Sequence, residues 1–253
     1  MKIYKFIKRN NLSIYIRNKL NIKPTVNWDI LNNYLYSSVS DSFLWRTDKN
    51  FKTIFKFTDI LKFFYKMDHT IINIIFFDKK NNYLTKIKLN DLENSNEILI
   101  NKDFFGGLED YGTFNIFHEN ATKDINVILN NRCYLGFTRD NNFFSYVHGN
   151  SLTTSKSDGK IVKDFYKTSF FPNISYKVQN NISKFDKTEV IICNPTNGKI
   201  VVYLEKERYD FSANELKILE IKKAKLIELK SNCHVLRPLV FNYKSNFFDV
   251  YHG

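Results

Sequence analysis

From Ile71 onward, short apolar runs alternate with polar turn clusters at the spacing of an all-β sandwich or barrel. The runs predict strands near residues 71–78, 82–89, 97–101, 112–118, 132–138 and 142–148. A second set is expected near 162–168, 174–180, 188–194, 198–205, 215–221, 224–230, 234–243 and 246–252. The polar stretch 151–160 separates the two sets and reads as a solvated linker; its Ser, Thr, Lys and Gly would also suit a backbone cradle for phosphate. Residues 1–40 lack this texture and read as helical or irregular, with a turn at Pro24-Thr25 and a helix start near Asn27. A short helix is expected at 58–65, where Thr58 or Asp59 can cap and Ile60, Leu61, Phe64 and Tyr65 share a face.

The two strand sets end alike. Asn142-Phe143-Phe144-Ser145-Tyr146-Val147-His148-Gly149 matches Asn246-Phe247-Phe248-Asp249-Val250-Tyr251-His252-Gly253 in five of eight positions, at an offset of 104. Upstream, Arg132 and Arg237 each open an apolar strand, and 71–89 and 190–205 each read as strand, Asn-containing turn and strand. The expected fold is therefore mostly β: two related antiparallel sandwich-like halves, 69–150 and 151–253, produced by internal duplication. A helical or irregular N-terminal segment, 1–68, packs on this body. The hairpin Asn194-Pro195-Thr196-Asn197-Gly198 with the strand after it is similar to hairpins of immunoglobulin-like sandwiches, which implies a fold and no activity.

Hydrophobic residues make up 43% of the 253 positions and aromatics 16%, ample for a core and against disorder. Asn, Lys, Ile, Phe and Tyr are all heavily used, the mix expected of A/T-rich codons, so part of the basic balance is compositional. The net charge of +12 is uneven. Residues 1–28 hold seven basic side chains and no acid, leaving 31 basic against 26 acidic in the rest, or +5. Nucleic acid binding would spread cations over one face of the body, and +5 argues against it. Membrane-surface contact through residues 1–23 remains open, beside the plainer reading of a core-docked segment with a solvated lysine face. Cys133, Cys193 and Cys233 are odd in number and lack metal-ligand spacing, so reduced, buried thiols and a cytoplasmic setting are expected. The N-terminus lacks the apolar core of a signal peptide.

Candidate chemistry falls in four places. His148 and His252 would occupy equivalent strand positions; with Asp249 they have ligand types suited to a metal, and with Arg132 or Arg237 they suit an anionic substrate. The plainer reading is that each His-Gly merely ends a strand. Trp45, Arg46 and Asp48 combine a flat apolar face, a planar cation and an acceptor, a set that binds sugars and anions or anchors the N-terminal segment. Gly106-Gly107 followed by Glu109 and Asp110 would form an acidic loop over a site, or an ordinary turn. Tyr146 offers a stacking ring. Two functions follow: a binding module for a glycan or anionic small ligand through Trp45, Arg46, Asp48, Arg132, Arg237 and Tyr146, or an enzyme on a sugar-like or carboxylated substrate through His148, His252 and Asp249. The sequence assigns no cofactor or metal. Exposed edge strands leave a homodimer open.

Overall fold

The structure, a computed structural model, describes residues 11–20, 38–90, 92–93, 95–122, 129–130, 133–140, 143–150, 152–155, 161–162, 166–180, 184–221 and 226–253. Arg132, the helix start expected near Asn27 and part of the 151–160 stretch lie outside these residues. Strands account for 57% of the described chain and helix for 10%.

After α1 (Asn11–Lys19) come β1 (Ser38–Asp41), β2 (Phe43–Arg46) and β3 (Phe51–Phe57). Then α2 (Ile60–Tyr65) leads to β4 (Thr70–Asp78), β5 (Tyr83–Asn90), β6 (Asn96–Ile100), β7 (Tyr111–Asn120), β8 (Leu129–Asn130), β9 (Tyr134–Arg139) and β10 (Ser145–Val147). The rest comprises β11 (Leu152–Ser155), β12 (Ile161–Val162), β13 (Ile174–Asn180), β14 (Lys187–Cys193), β15 (Ile200–Leu204), β16 (Glu207–Phe211), β17 (Leu216–Ile221), β18 (Leu226–Ser231), β19 (Leu239–Lys244) and β20 (Phe247–His252).

Four small antiparallel sheets lie blade-like against one another. Sheet I is β2-β7-β4-β5, sheet II β10-β9-β3-β6, sheet III β20-β19-β14-β17 and sheet IV β13-β18-β15-β16. A fifth, mixed sheet, β12-β11-β1-β8, pairs β1 parallel with β8. Counting the eight strands of sheets I and II in chain order, and likewise those of sheets IV and III, sheets I and IV both read 1-6-3-4; sheets II and III both read 8-7-2-5.

Burial follows the period of each strand. β3, Phe51-Lys52-Thr53-Ile54-Phe55-Lys56-Phe57, alternates strictly and buries only its odd positions. β14 and β19 carry near-continuous apolar runs and are buried on both faces. Sheet III is accordingly a wall between two cores. Ile191, Leu239, Phe241 and Val250 join Phe43, Phe55, Ile74, Phe114 and Phe137 of sheets I and II. Val190, Ile192 and Val240 face Ile200, Val202, Ile227 and Leu229 of sheet IV.

One expectation needs correction. Residues 38–57, placed by the sequence in a helical or irregular segment, form three strands, two of them in the principal sheets. β1 and β2 are only four residues each, too short for periodicity to register. Separately from that expectation, one face of sheet III completes the core of sheets I and II. The helix expected at 58–65 runs from Ile60 to Tyr65, capped by Asp59, whose carboxylate accepts from the Lys62 amide at 3.1 Å.

Candidate functional site

The outer face of sheet II is set by the even positions of β3. Its ladder places Leu99, Ile54, Gly136 and Tyr146 in one row across β6, β3, β9 and β10. The neighbouring row holds Glu97, Lys56 and Tyr134. Gly136 is the hinge of this surface. A Cβ there would lie 2.6 Å from Tyr146 Cε1 and 3.1 Å from Cζ, so the Tyr146 ring lies down on the bare backbone. The residue is still 43% exposed. Phe144 sits 6.1 Å from it, Lys56 Nζ lies 5.6 Å from its centroid, and the Tyr134 ring packs 4.9 Å from that of His148. Leu99, Tyr134 and Phe144 are exposed as well. Such a run of large exposed apolar groups is informative in a way that single ones are not.

This face runs into a cleft of about 330 Å³ lined by Thr47, Asn50, Phe51, Lys52, Asn101, Lys102, Asp103, Glu109 and Asp140. Lys52 precedes Ile54 on the same face of β3, and Asn101 follows β6. One wall is the Gly106-Gly107 loop, which the structure fixes firmly. Asn101 Oδ1 caps the single turn Lys102–Phe105 by accepting from the Phe104 amide at 3.0 Å, and Gly106 and Gly107 take φ of 68° and 95° to close it. Phe105 packs on Trp45 at 4.5 Å, while Thr47 Oγ1 donates to the Leu108 carbonyl at 2.7 Å. Asp110 pairs with Lys79 at 2.8 Å, leaving Glu109 as the carboxylate of the loop's acid pair that faces the cleft.

Of the Trp45-Arg46-Thr47-Asp48 segment, Thr47 lines the cleft while Trp45 and Arg46 lie behind it. Trp45 is fully buried and donates from Nε1 to the Phe77 carbonyl at 2.9 Å, the anchor alternative. Arg46 is fully buried too. Its Nε and Nη2 donate to the two Asp48 oxygens at 2.9 and 2.8 Å, and Nη1 donates to Glu189 Oε2 at 2.7 Å. The guanidinium lies 4.1 Å from the Phe51 ring and 5.0 Å from that of Phe241. Tyr243 OH, Lys49 and Lys187 supply further contacts to Glu189 at 2.7, 2.9 and 3.0 Å. Burial alone would push the Glu189 carboxyl up; the Arg46 charge, with hydrogen bonds from Tyr243 and Lys49, holds it well below the usual range. Burial likewise works against the Arg46 charge, and Asp48, Tyr243 and Glu189 outweigh it. Arg46 is thus saturated and joins sheet III to β2; it offers nothing to an anion.

The two His-Gly ends do meet. β10 and β20 lie side by side, with Ser145 Oγ donating to Asp249 Oδ1 at 2.9 Å and accepting from the Val250 amide at 3.0 Å. Arg237 Nη1 reaches the Gly149 carbonyl at 3.4 Å. His252 is half-buried near His148 and Arg237, and its ring nitrogens are sealed from solvent without a hydrogen-bond partner of good geometry. Burial first, then the Arg237 and His148 charges, push it down to about 4. Asp249 lies three residues back along β20 and is engaged by Ser145, so the structure shows no histidine–carboxylate pairing there. Among the described residues no three His, Cys, Asp or Glu side chains converge as a metal site would require. Cys133, Cys193 and Cys233 are free thiols, with Cys133 and Cys233 buried.

Of the residues singled out by sequence, Tyr146 and His148 lie on the open face, with Glu109 in the adjoining cleft. Sequence reasoning missed Ile54, Leu99, Tyr134 and the Asn50, Asn101 and Asp140 lining. Two signals were present: the Lys-Thr-Ile alternation of β3, and a glycine at the centre of the apolar strand Tyr134–Arg139. Among the described residues no helix is long and apolar enough to cross a membrane. Comparison with known proteins finds no matching family model and no matching curated protein.

Proposed function

We propose that the protein is a binding module that recognises a glycan along the open face of sheet II and its adjoining cleft. The observation that carries this reading is the Tyr146 ring, laid flat on Gly136 and 43% exposed. Sugars present apolar C–H faces ringed by hydroxyls. A flat aromatic meets the first, and closely spaced donors and acceptors meet the second. Tyr146, Tyr134, Ile54 and Leu99 supply the platform. Asn50, Lys52, Asn101, Lys102, Asp103, Glu109 and Asp140 supply the polar groups. Acids and cations are mixed in the cleft, which favours a polyhydroxylated ligand over a simple anion. The engaged state of Arg46 favours it further.

We also infer that the chain holds two copies of one eight-strand sandwich, the first beginning at β2 and the second at β13. The matching strand orders of sheets I and II with IV and III support this, as does the repeated Asn-Phe-Phe-x-x-x-His-Gly.

A glycan array followed by isothermal titration of the best ligand tests the function. Wild-type protein should bind, and Tyr146→Ala should lower affinity by about tenfold, the scale of one aromatic contact. No binding across the array, or equal binding by Tyr146→Ala, would sink the proposal. Hydrolysis or transfer of a bound glycan, abolished by His148→Ala, would favour the enzyme reading instead.

A further inference from the structure

Tyr146 stands on the edge strand of sheet II. That strand, β10, is three residues long, and Ser145, Tyr146 and Val147 pair on one side with Phe137, Gly136 and Leu135 of β9. Gly136 gives the ring a bare floor and no side chain to hold it sideways. The pose of Tyr146 is therefore set by the backbone that carries it. A short edge strand is also where local opening costs least.

The restraint on β10 comes largely from sheet III. Successive strand residues point to opposite faces, so Ser145 turns its side chain away from the face that bears Tyr146. There Ser145 Oγ donates to Asp249 Oδ1 at 2.9 Å and accepts from the Val250 amide at 3.0 Å. One hydroxyl thus grips both a side chain and the backbone of β20, and its bond to the carboxylate is of the stronger, charge-assisted kind. Phe143 stacks on Phe247 at 5.8 Å just before it. Beyond β10, the Gly149 carbonyl is met by Arg237 Nη1 at 3.4 Å, and the Asn150 amide donates to the Ser42 carbonyl at 2.8 Å. Of these ties, Ser145 is the one next to the ring.

We propose that Ser145 is a positioning residue for glycan binding, acting with Asp249 through the pose of Tyr146. This rests on the glycan reading above and adds that a residue of sheet III governs binding on sheet II. Ser145 itself touches no sugar; it fixes the strand from behind.

Proton NMR of the Tyr146 ring, with titration of the tightest glycan of the array, tests this on the full chain. Ser145→Ala should shift the Tyr146 ring resonances and lower affinity by about three- to tenfold, the scale of one exposed hydrogen bond. Ser145→Thr keeps the hydroxyl and should restore both. In a Tyr146→Ala background, Ser145→Ala should change affinity by less than about twofold, because the effect runs through the ring. Asp249→Ala cuts the same bond from β20 and should reproduce the shift and the loss if Ser145→Ala does not fold. Unmoved ring resonances in these variants overturn the proposal whether or not a glycan is found. So does undiminished affinity, or an equal loss with and without the Tyr146 ring. Resonances that move in a protein whose wild type binds no glycan would support Ser145 as the residue that sets the ring and sink the glycan reading alone.

Discussion

In sheet II, the row Leu99, Ile54, Gly136 and Tyr146 faces solvent. In sheet III the matching row is Glu220, Glu189, Phe241 and Val250, and three of its members are buried. Polarity is thus inverted against burial: the covered row contains a carboxylate, while the open row is apolar and aromatic. The covered row can hold Glu189 because Arg46 arrives from β2 with Asp48 behind it, and Phe241 fills the remaining space against Phe51 and Phe137. The open row holds no large side chain at the Phe241 position; Gly136 stands there, and Tyr146 takes up the room. One sheet face was shaped to be closed by its own chain. The other is left open to solvent.

The sharpest way to break this contrast is to open the covered face. Arg46→Ala leaves Glu189 buried without its principal partner and should cost about 3–5 kcal/mol in urea denaturation. Replacing Arg46 and Glu189 together by Met should recover most of that loss, because two apolar groups need no pairing. The same pair sets an acid limit. Since the Glu189 carboxyl lies below its ordinary value of 4.5, its stabilisation is complete above that pH and falls as the solution is acidified further. Wild-type stability should therefore drop below about pH 4.5 more steeply than that of the Met–Met variant.

A smaller effect is expected at the seam where the two His-Gly ends meet. The His252 ring titrates at about 4 in the folded chain against an ordinary 6.5, so the unfolded chain takes up the proton first. Stability is complete above pH 6.5 and declines as the pH falls from there towards 4. Thermal melts across that interval should show the slope, and His252→Leu should flatten it.

The open face should respond in binding and hardly in stability. Gly136→Val forces the Tyr146 ring off the strand; we expect a stability change within about 1 kcal/mol and weaker glycan binding. Tyr146→Ala should shift stability by no more than about 0.5 kcal/mol, the scale of an exposed position. A large loss of stability in Tyr146→Ala would make that ring a structural cover and remove the contrast between the two rows.

Much of the strand pattern was legible in the residues. β13 begins and ends at the expected positions, and β4, β14 and β20 lie within a residue of theirs, because alternation or an apolar run survives the choice of partner. β16 was missed because Glu207-Arg208-Tyr209-Asp210-Phe211 is a short edge strand in which Tyr209 and Phe211 are the only apolar positions, too few for the alternation to stand out. β11 fell in the stretch read as a linker, where Thr and Ser signal turns as readily as strands. The site was harder to see. Tyr146 was identifiable as a ring, but its flat pose depends on Gly136, ten residues away and brought opposite only by the register of β9 and β10. Trp45 and Arg46 drew attention by type, and only their complete burial distinguishes an anchor and a strut from a binding surface.

The contact between β10 and β20 bears on how the molecule behaves in a crowd. Both are edge strands, and an unpaired edge is a template on which foreign strands add and aggregates grow. Here Ser145 occupies the outward amide of Val250, and Phe143 stacks against Phe247 at 5.8 Å. Each edge blocks the other, so this seam resists templated growth although it carries the exposed rings of Phe143 and Phe247.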